Sequence, residues 1–285
     1  MNHTTHSHIY KNNISLDVYL PTPAKTPMPV VMYIHGGALI WGSRKGVRAN
    51  EIDAILGAGM AYVSIDYRLA PETKLTDIKT DIEAALKWVR ETDLYDFDAG
   101  RVAVIGKSAG GYLALLSGTF AERPQAIISF YGYGDILGDW YTKPCKHYLQ
   151  HPAVSQSQAN ERVTGCAPTF ATGEDRWPIY LHARQTGTWP SLVSGYGPGD
   201  VQARLTTYCP ILNIDTNFPP TFLLHGTADT DVPFERSRDM HNALAEKGVD
   251  VQFCVVPDGH HGFDSAWQNG PDEFGQVVEF LRRAL

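Results

Sequence analysis

Short apolar runs alternate along the chain with longer segments in which apolar residues recur every three or four positions. Short apolar runs between turn-forming residues predict buried strands, and the longer period predicts amphipathic helices. We predict strands at 8–11, 14–20, 29–35, 61–66, 101–106, 126–131, 221–225 and 251–256, and helices at 76–92, 234–247 and 272–284. Because the two types alternate, the pattern predicts an α/β fold: a mostly parallel eight-stranded sheet with helices on both faces.

Two of these segments carry more detail. In the helix at 76–92, one face holds the apolar side chains Ile78, Ile82, Leu86 and Val89. We expect the charged side chains of that helix, including Asp81, to lie away from this face. The strands at 8–11 and 14–20 are short and polar, which predicts a hairpin at the edge of the sheet.

The alternation stops between residues 132 and 220, which are rich in Gly, Pro, Trp and Tyr. A loop of this length without structure of its own is uncommon inside a compact domain. We therefore expect a single domain, 1–285, with a small, partly helical cap inserted at about 135–205. Such a cap would cover the carboxyl ends of the strands, where open α/β sheets place their sites.

Composition narrows the function classes. The formal net charge of −7 provides no basic surface, which disfavours nucleic-acid binding. The four cysteines are irregularly spaced without a C-x-x-C pair, which disfavours a zinc or redox motif. No apolar leader or membrane-spanning run is visible, so we expect a cytoplasmic protein without a membrane span. We expect His3, His6 and His8 to lie in a flexible polar tail rather than to bind a metal.

The most informative motif is Gly-Lys-Ser-Ala-Gly-Gly at 106–111. It follows the apolar run 101–105, which predicts a strand, and precedes 112–116, which predicts a helix. A tight strand-to-helix turn needs glycine on either side of the serine, because side chains there would collide with backbone. The motif therefore predicts a nucleophile elbow with Ser108 at its tip.

Other parts of an acyl-transfer site follow further strands. His-Gly-Gly-Ala at 35–38 matches the HGGG-type loop that supplies backbone donors to an oxyanion. Asp229 and Asp231 follow the strand at 221–225, and His260 and His261 follow the strand at 251–256. A serine hydroxyl is a weak nucleophile until a base takes its proton, so a histidine and an acid are the expected companions.

Five motifs, in this order, resemble the hormone-sensitive-lipase-like branch of the α/β-hydrolase fold. They are HGGA at 35–38, DYRLAPE at 66–72, GKSAGG at 106–111, HGTADTDVP at 225–233 and HHGF at 260–263. The resemblance implies a serine carboxylesterase that hydrolyses small short-acyl esters without a cofactor or metal. The chain departs from the family at Ala38, where Gly is usual, and at Lys107, where Asp is common.

The resemblance also implies a role for each residue. Ser108 would be the nucleophile, His261, which directly precedes Gly-Phe, the base, and Asp229 the acid. The oxyanion donors would be the backbone N–H groups of Gly37, Ala38 and Ala109.

The remaining polar residues of these motifs are assigned to structural roles. Asp231 would cap the following helix, and Asp66 and Arg68 would form an ion pair that braces the oxyanion loop. His35 and His225 would orient their loops. The aromatic residues Trp41, Tyr131, Trp140 and Trp177 are candidates for lining the substrate pocket.

Alternatives stay open from the sequence. The same residues could cleave amides, as in kynurenine-formamidase-like enzymes, or remove acetyl groups from sugars. A ligand receptor on a hydrolase scaffold is a third alternative, since gibberellin receptors resemble this family. Those receptors have typically lost the triad histidine, whereas His261 is present here. The expected partner is a small-molecule ester, and the resemblance also allows a homodimer.

Overall fold

The computed structural model describes residues 3–24, 26–267 and 272–285. The strands are β1 His3–Lys11, β2 Ile14–Pro21, β3 Met28–Ile34, β4 Ala61–Ile65, β5 Phe97–Lys107, β6 Ala126–Phe130, β7 Thr221–Gly226 and β8 Val251–Val256. They form one eight-stranded sheet in the order β1-β2-β4-β3-β5-β6-β7-β8. The pairs β1–β2 and β2–β4 are antiparallel, and the other pairs are parallel. The predicted fold class and edge hairpin are confirmed.

Helices cover both faces of the sheet. They are α1 Ala49–Gly57, α2 Leu75–Glu91, α3 Ala109–Ser117, α4 Asp139–Thr142, α5 Gln156–Asn160, α6 Gly173–Thr186, α7 Trp189–Ser194, α8 Pro198–Leu205, α9 Glu235–Glu246 and α10 Asp272–Ala284. One apolar core contains residues of α2 and α3, and a second core contains residues of α1 and α10. The carboxyl ends of β3, β5, β7 and β8 therefore meet at one edge of a sheet that is enclosed on both sides.

Helix α2 buries the predicted apolar face, but it also buries a charge. Asp81 is fully buried, whereas we expected it to lie away from the core. Its carboxylate accepts hydrogen bonds from Arg68 Nε at 2.8 Å and from Lys11 Nζ at 2.8 Å. A buried carboxylate needs such partners, because leaving the charge unpaired away from water costs several kcal/mol.

The expectation of a flexible histidine tail is wrong. His3, His6 and His8 lie in β1, whose pairing with β2 runs from His3 opposite Pro21 to Lys11 opposite Ile14. His8 Nε2 lies 2.6 Å from the Tyr95 hydroxyl. Backbone pairing to a neighbouring strand fixes this segment, although residues 3–7 are all polar and provide no apolar alternation from which this part of the strand could be predicted.

Between β6 and β7 the chain forms the helices α4 to α8, of which only α6 is longer than eight residues, and several 3₁₀ turns. Trp189 of α7 is fully buried, and its indole N–H donates to the Ala38 carbonyl at 3.0 Å. This segment is thus hydrogen-bonded to the loop that follows β3. Across residues 3–24, 26–267 and 272–285, no helix has both the length and the apolar character that crossing a bilayer requires.

Candidate active site

Ser108 lies at a sharp turn between β5 and α3, with φ 54° and ψ −121°. Non-glycine residues rarely adopt such a backbone, and where they do the strain is often at a functional site. Two glycines permit the turn. A Cβ on Gly106 would lie 2.0 Å from the Gly110 carbonyl oxygen, and a Cβ on Gly110 would lie 2.1 Å from the Ile34 carbonyl oxygen. The glycines that predicted an elbow are therefore required by its packing.

The structure brings Ser108, His261 and Asp229 into one hydrogen-bonded row. His261 Nε2 lies 2.9 Å from Ser108 Oγ, and His261 Nδ1 lies 2.7 Å from Asp229 Oδ2. The backbone N–H groups of Asp231 and Val232 each donate to Asp229 Oδ1 at 2.9 Å. The acid is therefore held on one oxygen by its own loop, and the other oxygen faces the imidazole.

Opposing effects set the ionisation of this row. Burial disfavours the charged form of Asp229, but hydrogen bonds from His225 and His261 outweigh burial and hold its pKa well below its usual range. Burial lowers the pKa of His261, but the charge of Asp231 and the hydrogen bond and charge of Asp229 outweigh it and raise that pKa. Both carboxylates thus stabilise a positive imidazolium.

His225 contacts Asp229 directly, which the sequence did not predict. The role expected for His225, orienting its loop, agrees with its position. Its Nε2 lies 3.2 Å from Asp229 Oδ2 and 3.0 Å from the Val232 carbonyl, and its Nδ1 lies 2.7 Å from Ser237 Oγ. The ring is completely buried. It therefore fixes the position of Asp229 from behind the site.

His260 and Asp231, which follow the same strands as His261 and Asp229, take other positions. His260 is exposed, with Nδ1 3.0 Å from the Ala228 carbonyl, and lies outside the row. The prediction that Asp231 caps α9 is wrong, because the residue before that helix is Phe234 and no side chain caps it. Asp231 Oδ2 instead lies 3.6 Å from His261 Nε2. Arg184 and Tyr180, two buried residues of α6, hold Asp231 in this position. The local sequence around Asp231 does not predict these partners.

The loop after β3 has the backbone that its glycines suggest. Gly37 has φ 101°, and Ala38 has φ 54° despite its side chain. A Cβ on Gly37 would lie 2.1 Å from the Trp41 carbonyl oxygen, so this position excludes larger residues. Both Gly37 and Ala38 line the cavity that contains Ser108 and His261. Ala109 follows Ser108 at the first position of α3, where helix N–H groups lack an intrahelical partner.

That cavity has a volume of about 320 Å³. Trp41 and Tyr131 form part of its wall, and the Tyr131 ring packs edge-on against His261 with centroids 4.7 Å apart. Trp140 and Trp177, the other two candidate aromatic residues, are not among the described residues that line the cavity. Trp140 stacks on Tyr141 at 3.6 Å, and Trp177 lies behind Trp41 at 6.3 Å.

Lys107, the departure from the family pattern, belongs to a buried ionic cluster. Its Nζ donates to Asp264 Oδ2 at 2.7 Å and also to Glu51. Tyr131 donates its hydroxyl to Asp264 Oδ1 at 2.7 Å, and Arg48 also pairs with this carboxylate. Because Lys107 directly precedes Ser108 and Asp264 follows His261 in the same loop, the cluster ties the serine turn to the histidine loop.

Little in the amino-acid sequence predicts this cluster. Glu51 lies on α1 and has no local pattern that links it to Lys107. Burial disfavours the charged form of Glu51 and outweighs Lys107, so its pKa is raised. Burial also opposes ionisation of Asp264, but Lys107 and the Tyr131 hydroxyl outweigh it and lower the pKa of that carboxyl. An acidic residue after the His-Gly-Phe motif was the one available signal.

The predicted ion pair between Asp66 and Arg68 does not form. Arg68 pairs with Asp81, as described above, and Asp66 pairs with Arg44, whose backbone N–H also donates to Asp66 Oδ1 at 2.7 Å. Each residue meets a partner more than ten positions away in the chain, and the spacing within the motif does not reveal such partners.

Comparisons with known proteins agree with this architecture. The BD-FAE family model matches residues 16–244. The non-reducing polyketide synthase ausA of Aspergillus calidoustus is 31% identical over 94% of this chain and 13% of its own length. The chain thus spans about an eighth of the length of the curated relatives it matches.

Two solved structures share the fold at lower identity. An α/β-hydrolase superfamily protein from Enterococcus faecalis superposes with TM-score 0.78 at 23% identity, covering 99% of this chain and 100% of that one. A truncated carbohydrate esterase from gut microbiota superposes with TM-score 0.70 at 20% identity, covering 99% and 96%. The fold is therefore that of an α/β hydrolase.

Proposed function

The chain belongs to the BD-FAE family of α/β-hydrolase-type domains, and on this premise we propose that it is a serine esterase for small esters with short acyl chains. One observation carries the proposal. Ser108 Oγ lies 2.9 Å from an imidazole nitrogen whose other nitrogen lies 2.7 Å from a buried carboxylate. The proposed base, His261, is thus within hydrogen-bond distance of both the nucleophile, Ser108, and the orienting acid, Asp229, which acyl transfer requires.

The first half of the reaction acylates Ser108. His261 Nε2 takes the hydroxyl proton as Ser108 Oγ bonds to the ester carbonyl carbon, whose π electrons move onto the carbonyl oxygen. The tetrahedral intermediate then collapses, the bond to the leaving alcohol breaks, and His261 gives that alcohol the proton. Asp229 keeps the Nδ1 proton in place and stabilises the imidazolium between the two steps.

The second half returns the enzyme to its starting state. Water enters, His261 Nε2 takes one of its protons, and the oxygen attacks the acyl carbon. When the bond to Ser108 breaks, the proton passes back to Oγ and the carboxylic acid departs. In both halves, we propose that the N–H groups of Gly37, Ala38 and Ala109 stabilise the oxyanion, since each lost donor of this kind costs about 10²–10³ in rate.

The cavity supports a preference for small acyl groups. Its volume of about 320 Å³ lies at the lower end of the usual range for small-molecule sites, about 300–1,000 Å³. Trp41, Gly37 and Ala38 line it together with Ser108. We also propose that residues 135–205 act as a cap, supported by the hydrogen bond from Trp189 to the Ala38 carbonyl.

The test is the rate of hydrolysis of p-nitrophenyl acetate, butyrate, octanoate and laurate by the protein and by Ser108→Ala. We expect a rate that falls with chain length and is lost in the variant. Ser265→Ala is the matched control, because Ser265 is exposed and lies in the same loop as His261. It should hydrolyse every ester at the unmodified rate.

Two outcomes would contradict the proposal. If the Ser108→Ala variant hydrolysed the esters at the full rate, Ser108 would not be the nucleophile. A protein without serine-dependent activity on any ester would also refute it. Serine-dependent cleavage of N-formylkynurenine would then favour the amide hydrolase, and inactivity on both bond types would favour a ligand receptor.

A further inference from the structure

A second carboxylate lies beside the Ser108–His261 hydrogen bond without taking part in it. Asp231 Oδ2 is 3.6 Å from His261 Nε2, the nitrogen that also faces Ser108 Oγ at 2.9 Å. At 3.6 Å the contact is too long for a hydrogen bond. The Asp231 side chain is 19% exposed and forms part of the cavity wall. It is therefore accessible to a bound molecule at the reacting centre.

The carboxylate is held rigidly through its other oxygen. Arg184 Nη1 donates to Asp231 Oδ1 at 2.9 Å, and the Tyr180 hydroxyl donates to the same oxygen. Arg184 Nη2 also donates to the Asp231 carbonyl at 3.0 Å. The Arg184 side chain is only 1% exposed. These contacts fix Oδ2 as the acceptor that is turned towards His261.

The reaction determines which part of a substrate meets this acceptor. His261 Nε2 must come within hydrogen-bond distance of the leaving oxygen in order to protonate it. The leaving alcohol, rather than the acyl group, therefore lies next to Asp231 Oδ2. A donor on the carbon next to the one that bears the leaving oxygen would be within reach of that acceptor.

The surrounding charges favour a neutral donor over a cation. Arg184 already compensates the negative charge of Asp231. Arg48 and Lys107 line the same cavity and are themselves paired with Asp264 and Glu51, so these pairs add no net negative charge that would attract an ammonium group. A hydroxyl needs no such charge and gains a hydrogen bond to a charged acceptor.

We propose that Asp231 is a specificity-determining residue that accepts a hydrogen bond from a free hydroxyl on the leaving alcohol. The preferred substrates are then short-acyl monoesters of vicinal diols and polyols. This inference rests on the proposed esterase function and adds the recognition of the alcohol half.

A near-isosteric pair of esters tests it. 2-Hydroxyethyl acetate and propyl acetate differ by a hydroxyl in place of a methyl group, and kcat/KM is measured for both. We expect the protein to favour the hydroxyl ester by about tenfold or more, as expected for a site built to bind a hydroxyl. In Asp231→Asn, the carboxamide oxygen can keep the bonds from Arg184 and Tyr180, so the NH₂ group replaces Oδ2. The preference should then disappear, with a smaller change on propyl acetate.

Control variants and a third ester separate the outcomes. Asp258→Asn is the matched control, because Asp258 is exposed in the loop that carries His261 and should leave the preference intact. An Asp231→Asn variant that slows both esters equally would mean that Asp231 acts through His261, and would overturn the proposal. A preference for acetylcholine over 2-hydroxyethyl acetate would overturn the choice of a neutral donor.

The proposed function can fail separately. Serine-dependent hydrolysis of p-nitrophenyl acetate, combined with equal rates or no rate on the two alkyl acetates, overturns the role of Asp231 alone. Absence of serine-dependent hydrolysis on every ester overturns both the esterase and this inference. Thermal unfolding of Asp231→Asn, measured by circular dichroism, confirms that any effect arises in a folded protein.

Discussion

The imidazole of His261 lies between two carboxylates, Asp229 on its Nδ1 side and Asp231 near Nε2. Burial alone would lower its pKa below the ordinary value of 6.5, but the carboxylates raise the pKa above it. The base must be neutral to accept the Ser108 proton. Activity should therefore be lost as the pH falls through a pKa above 6.5.

The pH dependence of kcat/KM on p-nitrophenyl acetate measures this pKa in the free enzyme. We expect the acidic limb to have an apparent pKa above 6.5 and to move to lower pH in Asp231→Asn, which removes one negative charge. An apparent pKa below 6.5 would mean that burial outweighs the two carboxylates.

At the residue scale, the sequence predicts an arrangement wherever it depends on local geometry. The glycines around Ser108 predict its turn, and the preceding strands predict that Asp229 and His261 lie at the same edge of the sheet, whereas the resemblance to the family was needed to choose them over Asp231 and His260. The position of Asp231 could not be predicted, because it depends on Arg184 and Tyr180 from a distant helix. Long-range ion pairs leave no periodic pattern in the chain, and the same reason explains the wrong pairing of Asp66 with Arg68.

The turn between β5 and α3 is the element on which the site depends. An added Cβ at Gly106 would lie 2.0 Å from a backbone oxygen of α3, which cannot move as a flexible side chain could. We expect Gly106→Ala to lower the free energy of unfolding by about 2 kcal/mol or more, as backbone clashes of this kind do. Urea denaturation followed by circular dichroism measures the change.

Gly275 in α10 provides the matched control. A Cβ there would meet no atom within 4 Å other than those of its chain neighbours and of the helix's own backbone, and the residue lies in a helix. Gly275→Ala should therefore raise the free energy of unfolding by about 0.5–1 kcal/mol. Equal stabilities for the two alanine variants would refute the steric account of the elbow.

The ionic cluster that joins the serine turn to the histidine loop should contribute to the stability of the protein. The Lys107 side chain is 8% exposed, and Lys107→Met would leave the carboxylates of Glu51 and Asp264 buried beside one remaining cation, Arg48. Removing one partner of a buried pair costs about 3–5 kcal/mol. We expect a loss of stability of that size in urea denaturation.

The additional substitution Glu51→Gln removes one of the unpaired charges and should recover part of the loss. If Lys107→Met were as stable as the unmodified protein, the cluster would contribute nothing to holding the two loops together. The test needs no activity measurement, so it is independent of the proposed function.

At the element scale, the buried parallel strands were predictable because they are continuous apolar runs between turns. The predicted ranges for β6, β7 and β8 agree with the structure to within one residue at each end. Strand β1 begins earlier than predicted, because it forms by pairing with β2 and its side chains are mostly polar and exposed. Helices α4, α5, α7 and α8 are too short for their periodicity to be visible. Helix α6 has 14 residues, but its buried side chains include Arg176, His182 and Arg184, so its buried face is not apolar in the sequence.

At the scale of the whole molecule, the segment between β6 and β7 packs onto the sheet domain. Trp189 donates a hydrogen bond to the Ala38 carbonyl, and Arg184 donates one to Asp231. The segment therefore contacts two loops of the site. We therefore expect the segment and the sheet to unfold together in one thermal transition.

Tryptophan fluorescence and far-ultraviolet circular dichroism report on different parts of the molecule. Three of the six tryptophans, Trp140, Trp177 and Trp189, lie in the segment, whereas the circular dichroism signal comes from all helices and strands. The two transitions should coincide. A fluorescence transition at lower temperature would mean that the segment is a separate unit with its own stability.

The proposed mechanism depends on Ser108 being the nucleophile that His261 activates. The most direct measurement is mass spectrometry of the protein after reaction with a fluorophosphonate, which becomes covalently bound to activated serines. We predict a single adduct on the peptide that contains Ser108, absent from Ser108→Ala and strongly reduced in His261→Ala. An adduct on another serine, or none at Ser108, would contradict the account.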